Sequence, residues 1–451
     1  MDLLAQARLL DTVRRLVRRS AHTHLDRVID KTQPADMAQM FPRLSERESK
    51  FLLKVLSLDL ERAAEVISFL DLEHAAELLP RMEIDDLVGV FAELSPDDAA
   101  DLLPLFPEEL SQQILDRMKG DEAAEVEELL HYDPKSAGGI MNTDFFSLNR
   151  DVSSREAIAA LQEAEDAEMV FYIYCLNEEG HLVGTLSLRD LLTHPADTPL
   201  RAIMNPDVIK VTPDMEQEAV ARLVARYDLL AIPVVDEFNK QLGIVTVDDV
   251  IDVVRDEATE DFLKMVGAGD EEVLEASVLR SAWMRAPWMA LAAVGGIIGA
   301  TLISRFESDI TRVALLAAFI PVVMAMGGNV GIQSATIMVR GLATGRVLIR
   351  GQWRVLAREL RTGLLLAVGG GALVGLAALV LGWSRPALGL VVGLSILCNM
   401  CSAALLGSLI PLAFKRLTVD PAVATGPIMT TFMDVVGILV YFLIAKAFLI
   451  P

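Results

Sequence analysis

Five long apolar segments follow one another between residues 287 and 450, and they restrict the fold more than any other feature of the chain. A helix needs about 20 mainly apolar residues to cross about 30 Å of hydrocarbon. A soluble core would account for one such segment but not for five in succession. We therefore predict five membrane-spanning helices, at residues 287–304, 313–339, 363–383, 387–414 and 423–450.

Charged residues divide the chain into two parts of different character. The first 280 residues hold 58 acidic and 27 basic residues, whereas residues 281–451 hold 5 acidic and 13 basic ones. The mean hydropathy of +0.41 is high for a soluble protein. We expect an acidic soluble region followed by a membrane domain at 281–451.

Loop charges predict how the membrane domain is oriented. Arginines crowd the loop between the second and third spans, at positions 340, 346, 350, 354, 358 and 361, and Lys415 and Arg416 follow the fourth span. Loops rich in Lys and Arg face the cytoplasm. With five spans, the large N-terminal region is then cytoplasmic and the C-terminus lies outside. Residues 1–30 are typical of a basic surface helix and not of a signal peptide.

The acidic region begins with a loose repeat of short helices. Segments such as DLERAAEVISFL, DLEHAAELLPRM and EIDDLVGVFAEL succeed one another at roughly twelve-residue spacing, each with an acidic start and apolar residues at helical spacing. This pattern predicts an all-α domain over 1–135, wound as a helical superhelix.

Residues 138–255 contain a duplication. YIYCLNEEGHLVGTLSLRDLL (172–192) parallels AIPVVDEFNKQLGIVTVDDVI (231–251), and each copy reads as strand, turn, strand, helix. The arrangement resembles a pair of CBS domains, here at 138–200 and 201–255. In that family a Ser/Thr-x-x-Asp after the second strand can hold the ribose of an adenine nucleotide, although it is also an ordinary helix start. The residues concerned are Ser187, Arg189, Asp190 and Thr246.

A connecting helix is predicted over 256–280, and it overlaps the acidic stretch 247–276. Six carboxylates of this stretch fall at helical spacing, namely Asp249, Asp252, Asp256, Glu257, Glu260 and Asp261. Like charges four residues apart destabilise a helix, and few basic residues interleave here. Either the stretch is a solvated acidic linker or hard cations fill the gaps, because clusters of oxygen ligands suit Mg²⁺ or Ca²⁺. We favour cations.

Spans two and five carry polar groups at membrane depth. Helix-weakening residues, Pro321, Gly327, Gly328 and Gly331, predict that span two is interrupted and that its freed carbonyls line a wet cavity. Asn329, Gln333 and Ser334 add oxygens there. In span five, Thr430, Thr431 and Asp434 share helical spacing. A carboxylate at that depth costs about 2.5–3.5 kcal/mol, so we expect Asp434 to face an ion pathway.

One carboxylate with neutral oxygens suits Mg²⁺, which keeps several of its waters and takes only one or two carboxylates. A symmetric dimer would supply two copies of Asp434 at one axis, whereas a single ring of five helices supplies one. The residues therefore favour a homodimer with a central pore.

The whole chain resembles the MgtE-type magnesium channels, most specifically in PVVMAMGGNVGIQSAT (321–336), VTVDDVIDVVRDEATEDF (245–262) and DPAVATGPIMTTFMDVVG (420–437). The resemblance implies a homodimeric, Mg²⁺-selective channel of the bacterial inner (plasma) membrane. Such a channel passes Mg²⁺ into the cytoplasm down its gradient and closes when cytoplasmic Mg²⁺ rises. The resemblance also allows ATP at the CBS pair.

Functional residues follow from the resemblance position by position. Pore Mg²⁺ would be held through water by Asp434 and by backbone carbonyls at Gly327, Gly328 and Asn329. The gating acids would be Glu216, Glu218, Asp228, Asp249, Asp252, Glu257, Glu260, Asp261 and Asp420, with Asp98 as the counterpart in the N-terminal domain. Arg255, among these acids, is expected to weaken one site.

Two other functions stay open on the sequence. A membrane-anchored nucleotide sensor would use the spans only as an anchor. A passive anchor has no need of polar residues within its spans, so the polar groups of spans two and five argue against this function. A carrier coupled to Na⁺ or H⁺ would need further intramembrane carboxylates or an inverted repeat, and we count one mid-span acid. No nucleophile–base pair indicates an enzyme, and no nucleic-acid partner is expected.

Overall fold

The computed structural model of the chain describes residues 3–164, 170–268, 278–345, 347, 351–382 and 385–448. Its residues form two compact units, Met1–Arg255 and Asp256–Pro451. Several parts of the sequence predictions lie outside the described residues: 165–169 of the first repeat, 269–277 of the connecting region, Arg346 and Arg350 of the basic loop, residue 383 of span three, and the last residues of span five.

The first unit begins with ten short helices, as the repeat predicts. They are α1 (Leu3–Arg18), α2 (His22–Ile29), α3 (Pro34–Ala38), α4 (Glu46–Leu56), α5 (Leu60–Ser68), α6 (Leu72–Leu78), α7 (Ile84–Glu93), α8 (Pro96–Leu102), α9 (Glu108–Leu115) and α10 (Gly120–Leu129). Polar residues fix several of their starts. The backbone N–H of Ser45 donates to the Glu48 carboxylate (3.0 Å) ahead of α4, and Asp59 accepts from the N–H of Arg62 (3.1 Å) ahead of α5.

The predicted duplication is present as two similar strand–strand–helix units. The first contains β1 (Ser147–Asn149), α11 (Ser154–Glu163), β2 (Tyr172–Leu176), β3 (Leu182–Ser187) and α12 (Leu188–Thr193). The second contains α13 (Gln217–Tyr227), β4 (Ala231–Val235) and β5 (Gln241–Thr246), followed by α14 (Val247–Val266). Strand β2 pairs parallel with β1 and antiparallel with β3, and β4 pairs antiparallel with β5. Both hairpins shift register at the corresponding place, after Cys175 and after Val234.

The connecting helix differs from the prediction of 256–280. It begins at Val247 as the last helix of the second repeat, and it ends at Val266. Gly267 has φ +75°, a left-handed conformation that favours glycine, and the N–H of Ala268 donates to the carbonyl of Leu263 (2.9 Å). This is a glycine-terminated helix end, which the sequence signal at Gly267 could have located.

Five helices of the second unit are long and apolar enough to cross a membrane, as predicted. The unit comprises α15 (Val278–Arg305), α16 (Glu307–Arg312), α17 (Leu315–Ala343), α18 (Gln352–Leu381), α19 (Ala387–Arg416) and α20 (Gly426–Phe448). Helices α18 and α19 meet through glycines, and a methyl group on Gly375 would lie 2.9 Å from the carbonyl oxygen of Gly389. Small residues allow such close packing. Close packing matters here because the hydrophobic effect does not drive helices together within lipid.

The prediction that span two is interrupted is wrong. Helix α17 runs without a break from Leu315 to Ala343, with Pro321 inside it. Each interior glycine costs a helix only about 1 kcal/mol, and packing offsets that cost. The side chain of Asn399 fills the space beside Gly327, and a methyl group on Gly331 would lie 3.1 Å from the side chain of Met429. The carbonyls near Gly327 therefore belong to a continuous helix.

Candidate functional site

Asp434 lies half-buried in α20, in the middle of an apolar segment. Within the described residues, neither a hydrogen bond nor an ion pair joins its carboxylate to another group. A packing role would require such a partner, because an unpaired charge is costly at membrane depth. The geometry instead leaves both carboxylate oxygens available to an ion or to water.

The two threonines near Asp434 differ in their surroundings. The hydroxyl of Thr430 donates to the carbonyls of Gly426 (3.2 Å) and Pro427 (3.1 Å), so it still has lone pairs that can accept. Thr430 precedes Asp434 by one turn and shares its face. Thr431 packs against Gly295 of α15, where a methyl group would collide with it. Of the two, Thr430 is therefore the better candidate for the pathway.

Two amide side chains of α17 lie on one exposed face. Asn329 and Gln333, which are four residues apart, are both exposed in the single chain, whereas Gly327 and Gly328 are buried. Exposed amides on a membrane helix are costly against lipid and are expected to face water or protein. This face therefore needs either an aqueous path or a second protein surface.

Asn399 of α19 is a buried polar residue that the sequence analysis missed. Its Nδ2 donates to the carbonyl of Val323 on α17 (2.8 Å), and its buried Oδ1 has no partner in the described part of the chain. Its side chain fits against Gly327 of α17 and Gly437 of α20, neither of which leaves room for a methyl group without a shift. A single Asn within the otherwise apolar stretch CNMC (398–401) was the sequence signal that could have located this residue.

Glu359 is a second carboxylate within a helix that is long and apolar enough to cross a membrane. It stands among the arginines that the sequence analysis placed in the basic loop, but it lies in α18 with 7% of its surface exposed. The hydroxyl of Ser334 on α17 donates to its Oε2 (3.2 Å). The membrane helices therefore contain one more buried acid than the sequence indicated when a carrier was considered. Unlike Asp434, Glu359 has a protein partner among the described residues.

The end of α14 contacts the start of α20. Nζ of Lys264 donates to Oδ2 of Asp420 (2.8 Å) and also bonds Glu260. The hydroxyl of Thr425 donates to the carbonyl of Met265 (3.3 Å). Two predicted gating acids, Glu260 and Asp420, are thus brought together, with an ammonium group between them.

Lys264 remains a cation in this contact. Although burial alone would lower the pKa of Lys264, its hydrogen bonds to Asp420 and Glu260 raise that pKa overall. The start of α20 is therefore fixed to α14 by a charged group of the chain itself.

A second acidic cluster joins the N-terminal helices to the second repeat. Burial and then the charge of Asp97 raise the pKa of Asp249 to about 8. Asp101 has an exposed surface, yet partial desolvation by its neighbours and then the charge of Asp97 raise its pKa to about 6. Burial raises the pKa of Asp97. Among the described residues, no hydrogen-bond partner reaches the buried Oδ1 of Asp97. Of this cluster the sequence analysis named Asp249 and Asp98, which also acts on Asp249, and missed Asp97 and Asp101.

The predicted nucleotide residues form helix starts in both repeats. The hydroxyl of Ser187 donates to Oδ2 of Asp190 (2.6 Å) and accepts from the N–H of Asp190 (3.1 Å). Thr246 donates to Asp249 in the same way. Arg189 is exposed beside the first pair. The arrangement fits an ordinary cap, and it leaves the nucleotide hypothesis open.

The remaining predicted acids have local roles. Glu216 caps α13 by accepting from the N–H groups of Glu218 (3.0 Å) and Ala219 (3.1 Å), and Glu218 pairs with Arg222 (2.7 Å). Asp228 ends α13 in a left-handed conformation. Arg255 lies 3.6 Å from Asp252, and the expected weakening of a site there stays a prediction.

Asp256, Glu257 and Asp261 lie along α14. Among the described residues, no three His, Cys, Asp or Glu side chains are grouped closely enough to hold a metal ion unaided. A metal ion beside α14 would therefore need water or other groups among its ligands.

The chain matches family models along most of its length. It matches the divalent cation transporter family MgtE over residues 320–444, the MgtE intracellular N domain over 32–135, and the CBS domain over 137–197 and 200–256. The magnesium transporter MgtE of Bacillus subtilis (strain 168) is 36% identical over 94% of this chain and 93% of its own length. This chain is an MgtE family member. The magnesium transporter MgtE of Thermus thermophilus is 37% identical over 94% and 95% of the two chains.

Solved structures agree with this assignment for the soluble region. The cytosolic domain of the Mg²⁺ channel MgtE in complex with ATP is 36% identical, has a TM-score of 0.52, and covers 54% of this chain and 99% of that one. The soluble part of a magnesium transporter gives 32% identity, a TM-score of 0.53, and coverage of 56% and 99%. This MgtE protein is thus a multi-pass membrane protein of a transport family and not an enzyme, and the predicted fold class is confirmed.

Proposed function

We propose that this protein is a magnesium channel that passes Mg²⁺ into the cytoplasm down its electrochemical gradient. The observation that carries the proposal is Asp434, a carboxylate inside a membrane helix with no bonding partner among the described residues. Mg²⁺ retains most of its waters and needs one or two carboxylates, and Asp434 with the Thr430 hydroxyl supplies such a partial shell. Relatives that are named magnesium transporters support the choice of ion.

We propose that the channel is a homodimer in the bacterial inner membrane, with its soluble domains in the cytoplasm and its C-terminus outside. The exposed face of Asn329 and Gln333 supports a dimer, because a second copy would shield it from lipid and bring a second Asp434 to the pore. Gly328, beside which a methyl group would meet nothing within 4 Å, would leave room for a hydrated ion, whereas Asn399 fills the space beside Gly327. The carbonyls of both glycines belong to the continuous helix α17.

We propose that cytoplasmic Mg²⁺ closes the channel by binding the acids of the soluble region. The regulatory carboxylates proposed are Asp98, Glu216, Glu218, Asp228, Asp249, Asp252, Asp256, Glu257, Glu260, Asp261 and Asp420. Two carboxylates 4 Å apart repel by roughly 4 kcal/mol at an effective dielectric near 20. A bridging divalent ion removes this repulsion and favours the compact form. Mg²⁺ shifts the equilibrium only by its higher affinity for that form.

The raised pKa of Asp249 supports the proposed regulation. Its value of about 8 means that the ionised carboxylates of this cluster are poorly compensated by the protein alone. A hydrated Mg²⁺ between Asp97 and Asp249 would supply the missing charge. At the connecting helix, Lys264 already stands between Glu260 and Asp420, so Mg²⁺ must compete with it there.

ATP is proposed as a second ligand, at the CBS pair. The cytosolic domain of a related channel, 36% identical to this chain, was solved with ATP. Ser187 and Asp190 present hydroxyl and carboxylate oxygens together, and Arg189 beside them is exposed and could meet a phosphate.

Uptake by proteoliposomes tests the transport function. Purified protein in liposomes that contain a Mg²⁺-sensitive dye and little Mg²⁺ should give dye signals when Mg²⁺ is added outside, and liposomes without protein should not. A membrane-anchored sensor would give no uptake, and a carrier would give uptake that follows an imposed Na⁺ or proton gradient. Uptake that depends only on the Mg²⁺ gradient and the membrane potential is the result expected for a channel.

A further inference from the structure

The contact between α14 and the start of α20 contains three charged groups with little access to water. Lys264 has 24% of its side chain exposed, Glu260 16% and Asp420 35%. Glu260 precedes Lys264 by one turn, whereas Asp420 comes from the loop before α20, 156 residues further along the chain. The ammonium therefore joins two elements that are distant in sequence.

Other contacts around the ammonium keep α14 and α20 close. Gly426 approaches the carbonyl of Met265 so closely that a methyl group would collide with it, and a methyl group on Gly267 would lie 2.8 Å from Pro427. Oδ1 of Asp420 accepts from the N–H of Ala422 (2.8 Å), which leaves Oδ2 directed at Lys264. With these backbones so near, Glu260 and Asp420 would face each other directly if Lys264 carried no charge.

We propose that Lys264 is a tethered cation that holds the end of α14 against the start of α20 when no divalent ion is bound, in the place between Glu260 and Asp420 that Mg²⁺ would otherwise take. The inference rests on the proposed function, in which Mg²⁺ closes the channel by binding these acids and favouring the compact form. Lys264 thus stabilises the contact between α14 and the start of α20 even when Mg²⁺ is absent.

A tethered cation changes how this pair of acids responds to Mg²⁺. The ion can bridge Glu260 and Asp420 only by displacing an ammonium that donates hydrogen bonds to both. Without the ammonium, the contact would be less stable in the absence of Mg²⁺ and would need Mg²⁺ to form. The reason is that removing one partner of a shielded ion pair leaves the charge of the other uncompensated. Lys264 thereby lowers the Mg²⁺ dependence of this one contact and leaves control to other acids.

Disulfide cross-linking of full-length protein in liposomes measures the contact directly. Met265→Cys and Thr425→Cys would be placed in a chain whose three native cysteines, Cys175, Cys398 and Cys401, are replaced. Cross-linking in EDTA should be rapid with Lys264 and with Lys264→Arg, which keeps the charge. It should be about tenfold slower with Lys264→Gln, because two shielded carboxylates then repel. Excess Mg²⁺ should restore the rate for Lys264→Gln.

A double variant separates charge from misfolding. Lys264→Gln with Asp420→Asn removes the repulsion as well as the ammonium, so cross-linking in EDTA should recover. The proposal is overturned if Lys264→Gln cross-links in EDTA as fast as Lys264, or if the double variant stays as slow as the single one. Failure of the proposed function looks different: uptake by the unmodified protein would then be insensitive to internal Mg²⁺, whatever the cross-linking rates.

Discussion

Replacing Asp434 by alanine should reduce Mg²⁺ uptake by at least about a hundredfold, which corresponds to about 2.7 kcal/mol of barrier. The reason is that Asp434 is the carboxylate of α20 that lies in an apolar segment with no described protein partner, so its charge is available to a passing ion. A hydrated Mg²⁺ that enters a low-dielectric region without a compensating negative charge meets a large electrostatic penalty. Uptake by proteoliposomes at low internal Mg²⁺ is the measurement.

Three comparisons make the Asp434 result specific. Asp434→Asn keeps the size but not the charge and should also lose most of the uptake, whereas Asp434→Glu should keep a measurable part. Leu443→Ala changes an exposed apolar residue of the same helix and should transport normally. Size-exclusion chromatography should show the same assembly for all variants. If Asp434→Ala transports at the normal rate, Asp434 is a packing residue and the pathway lies elsewhere.

The acidic cluster of Asp97, Asp101 and Asp249 should make the unmodified protein less stable as pH rises in EDTA. In the unfolded chain these carboxyls ionise near pH 4, but in the fold the pKa of Asp101 is about 6 and that of Asp249 about 8. The protonated forms thus stabilise the fold fully below about pH 4, and this contribution is lost as pH rises through both folded values. After allowance for solvent screening, we expect a loss of about 2–3 kcal/mol between about pH 5 and about pH 8.

Thermal unfolding of the full-length protein in detergent measures this loss. Adding Mg²⁺ near pH 8 should restore the Tm, because the ion binds the folded, ionised cluster. Asp97→Asn removes one charge, so it should raise the Tm in EDTA near pH 8 and reduce the effect of Mg²⁺. Asp207→Asn makes the same chemical change at an exposed loop position and should alter neither. An unchanged pH profile in Asp97→Asn would show that the cluster does not control this stability.

Much of the architecture could be predicted because it depends on patterns that local chemistry enforces. The five spans follow from the cost of exposing apolar segments to water, and the repeated hairpins follow from two copies of one strand–turn–strand pattern. Asp434 was predictable for the same kind of reason, since a carboxylate in an apolar segment needs an explanation.

Packing between distant segments decided what the sequence could not show. Helix α17 stays continuous because Asn399 and Met429 fill the space beside its glycines, and neither neighbour is evident from the PVVMAMGGNVG stretch. Glu359 looked like a loop residue because arginines surround it in sequence. It is nevertheless buried, and the hydroxyl of Ser334 on another helix donates a hydrogen bond to it. The role of Lys264 depends on Asp420, which lies 156 residues away.

Mg²⁺ is proposed both to pass through this protein and, from the cytoplasmic side, to close it. The most direct test measures uptake into proteoliposomes whose internal Mg²⁺ is buffered at a low level in one set and raised to millimolar in another, at the same membrane potential and the same Mg²⁺ gradient. Oriented vesicles with the soluble domains inside should take up Mg²⁺ rapidly in the first set and much more slowly in the second, with a steep dependence on internal Mg²⁺ because several sites act together. Equal uptake in the two sets would contradict closure by Mg²⁺, and no uptake in either set would contradict the channel itself.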